Sequence, residues 1–290
     1  MIDLHIHTKY SDGTDDVPEL LAKAEAAGIE CLSITDHDDC RAYEVLAKIN
    51  AKDYYTGRII PGCEFTTTIE GITIELLGYK VDTSLLSRRI PECYMPRTER
   101  RKIAYQRLLK VCRKLGIVVD EENIVFVPET DHATVVIHDE LVKHPENRKF
   151  FSNEEAWEGN PVFYRACVCN PRDIFYVDNS DNQPSVEEVI GLIKEAGGLV
   201  FIPHVYAYGE NSERLFEILI RDYPIDGIEC CYKMYSDEQT RFLMDFCKKN
   251  NLYMSGGSDY HGDAAPDVFL GTGKGNLNIP FELIADWVDK

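Results

Sequence analysis

Short segments that combine histidine with carboxylate residues are spread over this chain from its first residues to nearly its last. They are His5-Ile6-His7, Ser11-Asp12-Gly13, Thr35-Asp36-His37-Asp38, Pro203-His204 and Ser258-Asp259-Tyr260-His261. Each lies at the end of a β-rich run, or just beyond it, and these runs alternate with helical patterns. The alternation predicts parallel strands with crossover helices, whose carboxyl ends meet at one rim. Because imidazole and carboxylate groups suit zinc, manganese or iron, we expect a multinuclear metal site that activates water for hydrolysis.

The alternating pattern is interrupted in the middle of the chain. Seven strands are predicted, at residues 2–7, 31–36, 59–65, 72–81, 199–203, 225–230 and 253–258. The segment from 83 to 183 instead shows helical patterns near 98–115 and 134–143 and polar, turn-rich stretches. We therefore interpret residues 1–82 and 184–290 as one α/β domain, and residues 83–183 as an inserted, mainly helical cap beside the pocket.

Charge and composition limit the partners and the compartment. The formal net charge is −19, which disfavours broad binding to nucleic acid, because such binding needs many lysine and arginine contacts to phosphates. A small anionic substrate remains compatible, since bound cations can invert the local field. No secretory signal or apolar run of membrane-spanning length is visible, and the ten scattered cysteines favour reduced thiols. We expect a cytoplasmic protein with no membrane partner.

The motifs together resemble those of one known family. They read DLHIHTKYSDGTDD, SITDHDD, PGCEFTT, ITIELLGYKVD, PSVEEVIGLIKEAGGLVFIPH and GGSDYHG, and they cover roughly residues 1–82 and 184–265. In this order they resemble the polymerase and histidinol phosphatase (PHP) family of metal-dependent phosphoesterases, in particular its branch of small nucleotide and oligonucleotide phosphoesterases. The resemblance implies a distorted seven-stranded, TIM-like (β/α)7 barrel.

The resemblance also implies a set of metal ligands for two or three divalent ions. In family terms one ion is held by His5, His7, Glu64 and Asp259, a second by Glu64 and His204, and a third by Asp12, His37 and His261. Solvent bridging closely spaced ions would be hydroxide at neutral pH and would attack phosphorus in line with the leaving oxygen. Manganese, iron, zinc and magnesium all remain candidates for the metal.

One position departs from the family pattern. Where the branch normally carries histidine, this chain has Glu75. A glutamate can ligate the second ion through oxygen, which would favour manganese, magnesium or iron. Alternatively, the second site is weakened and Glu75 is a strand-end carboxylate that merely lies nearby.

Other polar residues have weaker signals. Asp36 and Asp38 flank His37 and are candidates to orient an imidazole by accepting its other proton, although they also fit as loop or cap carboxylates. Arg97, Arg100 and Arg101 belong to a basic stretch that is either a solvated helix face or a source of guanidinium groups for a second phosphate. The roles of three further histidines in the insertion stay open: His132, His138 and His144.

We predict a metal-dependent phosphoric ester hydrolase that acts on phosphate monoesters or short phosphodiesters, with nucleotides or oligonucleotide ends as the expected substrates. A histidinol-phosphate phosphatase is the near alternative. A hydantoin or lactone hydrolase would share similar ligands, but no lysine lies at a comparable strand end. The alternative of another class is an inactive metal-binding regulatory module, with Glu75 as a sign of lost activity.

Overall fold

A computed structural model describes residues 1–151 and 153–289 of the 290-residue chain. Its strands are β1 (Ile2–Ile6), β2 (Cys31–Ile34), β3 (Arg58–Ile59), β4 (Gly62–Ile69), β5 (Ile72–Tyr79), β6 (Leu199–Ile202), β7 (Gly227–Tyr232) and β8 (Tyr253–Gly257). Its α-helices are α1 (Val17–Ala26), α2 (Arg41–Leu46), α3 (Thr83–Cys93), α4 (Arg97–Leu115), α5 (Ala133–Leu141), α6 (Glu154–Glu158), α7 (Asn160–Val162), α8 (Val186–Glu195), α9 (Ser212–Asp222), α10 (Asp237–Asn250) and α11 (Ala285–Val288).

The strands form an α/β fold with two sheets. One sheet has three parallel strands in the order β1-β2-β3, and the other has five in the order β4-β5-β6-β7-β8. The expectation of all-parallel pairing is wrong at β5, which is antiparallel to both β4 and β6. The physical reason is the connection between β4 and β5: Glu70 and Gly71 have φ angles of 52° and 80°, as a two-residue hairpin turn requires, and leave no length for a crossover helix.

The expectation of seven strands in one closed barrel is also corrected, since the described residues form eight strands in two sheets. Isolated bridges join the two sheets at both seams. Ile6 at the end of β1 pairs with Tyr260 beyond β8, and His37 beyond β2 pairs with Glu64 in β4. Both bridges lie at the carboxyl ends of β1 and β2, so these two strand ends meet the second sheet at the same rim.

Helix ends follow the local sequence. Asp16 accepts a hydrogen bond from the Glu19 N–H at the start of α1, and Pro18 occupies its first turn. Helices α8 and α10 begin with capping boxes, Ser185 with Glu188 and Ser236 with Gln239. These caps fix where each of the three helices begins.

Buried apolar side chains form three clusters. The largest lies between the second sheet and helices that include α8, α9 and α10, and a second packs β1 and β2 against α1 and α2. The third cluster draws all its buried members from residues 108–177, the segment between β5 and α8. Among the described residues, every helix is too short or too polar to cross a bilayer.

Candidate metal centre

Glu64 lies at the centre of a buried group of histidines. It is 1% exposed and belongs to β4, whose preceding turn brings it to the rim shared with β1 and β2. Its Oε2 atom lies 3.2 Å from His5 Nε2, 3.3 Å from His7 Nε2 and 3.3 Å from His37 Nδ1. Its Oε1 atom lies 2.9 Å from His204 Nε2. One carboxylate therefore lies next to four imidazoles from the ends of three strands, β1, β2 and β6.

Asp259 closes the same group from beyond β8. Its Oδ1 atom lies 3.2 Å from His7 Nε2, 3.6 Å from His5 Nε2 and 3.5 Å from His261 Nδ1. Its Oδ2 atom accepts hydrogen bonds from the Tyr232 hydroxyl and the Lys233 ammonium, each at 2.9 Å. Oδ1 of Asp259 therefore faces the histidines, and Oδ2 faces the end of β7.

Asp12 lies at the more open end of the cluster. Its Oδ1 atom lies 3.3 Å from His261 Nε2 and 3.6 Å from His7 Nδ1, and its Oδ2 atom lies 3.6 Å from His37 Nε2. The rings of His7 and His261 stack with their centroids 4.2 Å apart. Asp12, His37 and His261 are each partly exposed, so this end is open to solvent.

The donor atoms fit divalent cations. Two sets of side chains have ligand atoms that all lie within 4.8 Å of one another: His5, His7 and Glu64, and His7, Asp12, His37 and His261. His7 Nε2, Asp12 Oδ1 and His37 Nδ1 are buried and find no hydrogen-bond partner among the described residues. Buried polar atoms without such partners are costly, and a cation would satisfy them. Mixed imidazole and carboxylate donors suit zinc, manganese and iron.

The electrostatics of the group favour cations as well. Burial by itself would raise the pKa of Glu64, but the surrounding histidines, beginning with His5 and His37, hold it well below its usual value. Burial would lower the pKa of His7, yet the neighbouring carboxylates, Asp259 first and then Glu64, raise it to about 10. Since a proton and a metal ion compete for the same nitrogen, cation binding here releases protons.

The backbone is strained where it delivers these side chains. His204 and Asp259 have φ angles of 26° and 51°, and Asp38 has a φ of 48°. Non-glycine residues rarely adopt such conformations, and where they do the strain is commonly found at functional sites. Such positive φ angles occur in the turns after β2, β6 and β8.

Glu75 is placed elsewhere than the other candidate ligands. It is buried in β5, and its Oε2 atom lies 3.1 Å from Arg165 Nη1 and accepts a hydrogen bond from the Tyr208 hydroxyl at 2.9 Å. It belongs to neither of the two converging sets of ligand atoms. Arg165 lies in a π-helix (Phe163–Val168) of the segment between β5 and α8.

The flanking acids Asp36 and Asp38 accept hydrogen bonds from groups other than imidazole. Asp36 accepts from the Thr8 N–H at 2.7 Å, the Thr8 hydroxyl at 2.6 Å and the Ser11 hydroxyl at 2.5 Å. Ser11 Oγ in turn lies 3.3 Å from His7 Nδ1. Asp38 accepts from the Thr66 N–H and from Arg100 Nη2, both at 2.8 Å. Asp36 thus reaches a histidine only through Ser11.

The three arginines of α4 have different environments. Arg97 donates to the carbonyl groups of Tyr10, Ser11 and His37, and so ties the start of α4 to the strand-end loops. Arg100 pairs with Asp38 and donates to the Gln183 side chain.

Arg101 lies deeper in the insertion. It donates to the carbonyls of Pro128 and Glu129, and its Nη2 lies 3.1 Å from His132 Nε2. Enclosure by protein and the nearby Arg101 lower the pKa of His132 to about 4, although part of the ring stays exposed. His138 and His144 contact the Ala156 carbonyl and Glu140 within the insertion.

Sequence reasoning missed two buried carboxylates behind the histidines. Glu229 in β7 is fully buried, lies 2.9 Å from His5 Nδ1 and accepts the His204 N–H at 2.7 Å. Asp3 in β1 accepts from the Ser258 N–H, the Ser258 hydroxyl and the Gly271 N–H, which ties β1 to the turn after β8. The available signal was a single acid within each apolar strand.

Comparisons with known proteins agree with this geometry. A family model for the PHP domain matches residues 3–151. The chain is 24% identical over 287 residues to a 5'-3' exoribonuclease of Haemophilus influenzae, covering 98% of this chain and 97% of that protein. It is 25% identical to a 3',5'-nucleoside bisphosphate phosphatase of Chromobacterium violaceum, covering 92% and 90%.

A solved structure has the same fold. It belongs to a candidate metal-dependent phosphoesterase from Bifidobacterium adolescentis, with a TM-score of 0.66 and 22% identity, and the match covers 97% of this chain and 93% of that one. The family model spans more than half of the 290 residues and includes Glu64 and the strand ends around it. The chain therefore belongs to the PHP domain family, and the prediction of a metal-dependent phosphoester hydrolase is confirmed.

Proposed function

We propose that this chain hydrolyses small phosphate monoesters or short phosphodiesters, with nucleotides or the ends of short oligonucleotides as substrates. The observation that carries the proposal is Glu64, whose two oxygens reach the imidazoles of His5, His7, His37 and His204 at one rim. Such a buried, mixed donor set is suited to closely spaced cations of the kind that bind phosphoryl oxygens and activate water.

We propose that the two converging sets of ligand atoms hold the metal ions. His5, His7, Glu64 and Asp259 would hold one ion, and Asp12, His37 and His261 would hold another. When bound, divalent ions would lower the pKa of water and neutralise charge on the phosphoryl oxygens. A further ion between Glu64 and His204, which the family resemblance implies, would have Glu75 and Arg165 close to it, and the guanidinium charge opposes it.

The protein's own groups orient the ligands. Glu229 fixes the His5 ring through Nδ1 and leaves Nε2 directed at Glu64. Tyr232 and Lys233 occupy Oδ2 of Asp259, which leaves Oδ1 for an ion. Manganese and iron suit this set, in which carboxylates share the ions with imidazoles.

Of the three arginines in α4, Arg101 is the best placed to meet a second phosphate. Backbone carbonyls hold both Arg97 and Arg101, and Asp38 holds Arg100. The carboxylate of Asp12, at the open end of the metal centre, is among the charges that act on the pKa of Arg101. Burial, followed by the charge of Arg97, lowers the pKa of Arg101. Residues 83–183 would then form a cap that brings this guanidinium toward the metal rim.

We propose that residues 1–82 and 184–290 form one distorted α/β domain, in which the bridges at the seams join the two sheets without closing a barrel. We also propose a reducing, cytosolic setting, since nine of the ten cysteines are buried as free thiols.

The similar proteins support nucleotide-like substrates. The H. influenzae protein is named for exoribonuclease activity and the C. violaceum protein for a nucleoside bisphosphate phosphatase. A third, from Eggerthella lenta, is a phosphoribosyl 1,2-cyclic phosphate 1,2-diphosphodiesterase at 23% identity. The net charge of −19 argues against a long binding surface for nucleic acid, so short substrates fit this chain best.

The test is release of inorganic phosphate and of nucleoside monophosphates, with added Mn²⁺, from a panel of nucleoside 3',5'-bisphosphates, short 5'-phosphorylated oligonucleotides and histidinol phosphate. We expect turnover of the nucleotides. Preference for histidinol phosphate would support the near alternative instead. Bound metal by elemental analysis without release from any compound would support an inactive metal-binding module.

A further inference from the structure

The carboxylate of Glu75 faces the same side of its sheet as that of Glu64. Glu64 and Thr66 point to one face of β4, and Thr66 is paired directly opposite Glu75 in β5. Glu75 is 4% exposed, so its charge needs a compensating partner. The identity of that partner determines whether the Glu75 carboxylate is available to bind a metal ion.

The partner of Glu75 is a cation that the chain itself supplies. Arg165 Nη1 lies 3.1 Å from Glu75 Oε2, and the Tyr208 hydroxyl donates to the same oxygen at 2.9 Å while accepting the Glu75 N–H at 3.1 Å. The Arg165 guanidinium also lies over the Tyr208 ring, 5.3 Å from its centroid. Two contacts, the ion pair with Glu75 and the packing over the Tyr208 ring, thus fix the arginine from the insertion against β5.

This ion pair lies at the His204 end of the metal centre. Tyr208 follows His204 in a 3-10 helical segment (Val205–Asn211), and the two ring centroids are 5.9 Å apart. His204 Nε2 in turn lies 2.9 Å from Glu64 Oε1. An ion held by Glu64 and His204 would therefore share this end of the centre with a fixed positive charge, and like charges repel each other.

We propose that Arg165 takes the place of a divalent cation at this end, with Glu75 as its anchor and not as a metal ligand. This inference deepens the proposed function and rests on it. The ions would then be confined to the two converging sets of ligand atoms. The guanidinium would supply positive charge at the His204 end that no chelator can remove.

Counting bound ions tests this directly. The purified chain is dialysed to equilibrium against excess Mn²⁺, and protein-bound manganese is measured by elemental analysis. We expect about two ions per wild-type chain, as in two-metal sites. Arg165→Met frees the Glu75 carboxylate and should bind about one further ion, whereas adding Glu75→Gln to that variant should remove the gain.

The matched control is Arg107→Met, which breaks an arginine–aspartate pair with Asp181 in the same insertion, away from the metal centre, and should bind as many ions as the wild type. About three ions in the wild type, or an equal count in wild type and Arg165→Met, would overturn the proposal. If Arg165→Met fails to fold, the wild-type count alone still decides. Because the readout is metal content, failure of phosphate release would count against the proposed function and not against this inference.

Discussion

His5 Nδ1 lies 2.9 Å from Oε1 of Glu229, a carboxylate with no exposed surface. The contact determines which ring nitrogen of His5 is free, because a histidine whose Nδ1–H is held by a carboxylate presents Nε2 to a metal. Glu229 also accepts the backbone N–H of His204, so it positions two candidate ligands from different strands.

Glu229→Gln should therefore weaken metal binding without direct loss of a ligand. Replacement of a carboxylate behind a ligating histidine typically lowers metal affinity roughly 10- to 100-fold. We expect a drop of this size in Mn²⁺ affinity, measured by titration, and a parallel rise in the Mn²⁺ concentration needed for phosphate release. Glu238→Gln, on the exposed first turn of α10, is the control and should behave as the wild type. Unchanged affinity in Glu229→Gln would show that the contact has no influence on the ligand.

Asp259→Ala should abolish turnover and lower bound metal while the fold persists. Its Oδ1 atom faces three histidines, so the substitution removes a carboxylate oxygen that lies within 3.6 Å of each of them. Elemental analysis, phosphate release and circular dichroism together check this, with His7→Ala expected to give the same result. Asp286→Ala, at an exposed position in α11, serves as the control. Full activity in Asp259→Ala would refute its assignment as a ligand.

Gly257→Ala should destabilise the protein, because β1 and β8 pack too closely for a side chain. An added Cβ would lie 2.4 Å from the His5 nitrogen and 2.5 Å from its Cβ. We expect a loss of about 1–3 kcal/mol in the free energy of unfolding, measured with urea. Gly191→Ala is the matched control, since its Cβ would meet nothing within 4 Å in helix α8, and it should stabilise by about 0.5–1 kcal/mol. Equal stabilities for the two variants would contradict the packing argument.

His132→Gln should make the fold less sensitive to acid. The pKa of His132 is lowered to about 4 in the folded chain. Between about pH 6.5 and pH 4, His132 is therefore largely protonated in the unfolded chain and largely neutral in the folded chain. The free energy of unfolding of the wild type should therefore decrease from pH 6.5 toward pH 4 because of this proton uptake. The variant lacks the imidazole and should not show this part of the decrease. Urea midpoints of chelator-treated proteins should match at pH 7.5 and favour the variant at pH 4.5. A constant difference across this range would exclude the titration of His132 as the cause.

The sequence was sufficient for most of the strand positions. The predicted strands at 2–7, 31–36, 199–203 and 253–258 overlap β1, β2, β6 and β8, and the histidine-carboxylate segments lie where these strands finish. Family assignment followed from motif order and is confirmed by the PHP domain match. The assignment of individual ligands to individual ions stays a prediction.

Two features could not be predicted from the sequence, for different reasons. The direction of β5 depends on a two-residue turn at Glu70 and Gly71, whereas the predicted strand ended at residue 65 and left residues 66–71 for the connection. The partner of Glu75 is 90 residues away in a π-helix, and no local pattern links an acid in a strand to an arginine at that distance. Long-range pairing of this kind becomes visible only with the fold.

The side chains around Glu64 come from positions as far apart as His5 and His261. During synthesis on the ribosome, the amino-terminal pair His5 and His7 must wait until some 250 later residues have emerged before their last partners exist. Contacts between such distant positions form slowly, because the intervening chain has to be ordered first. In the proposed centre, metal uptake would consequently be a late event in the maturation of this protein, because a nascent chain that lacks β8 also lacks Asp259 and His261.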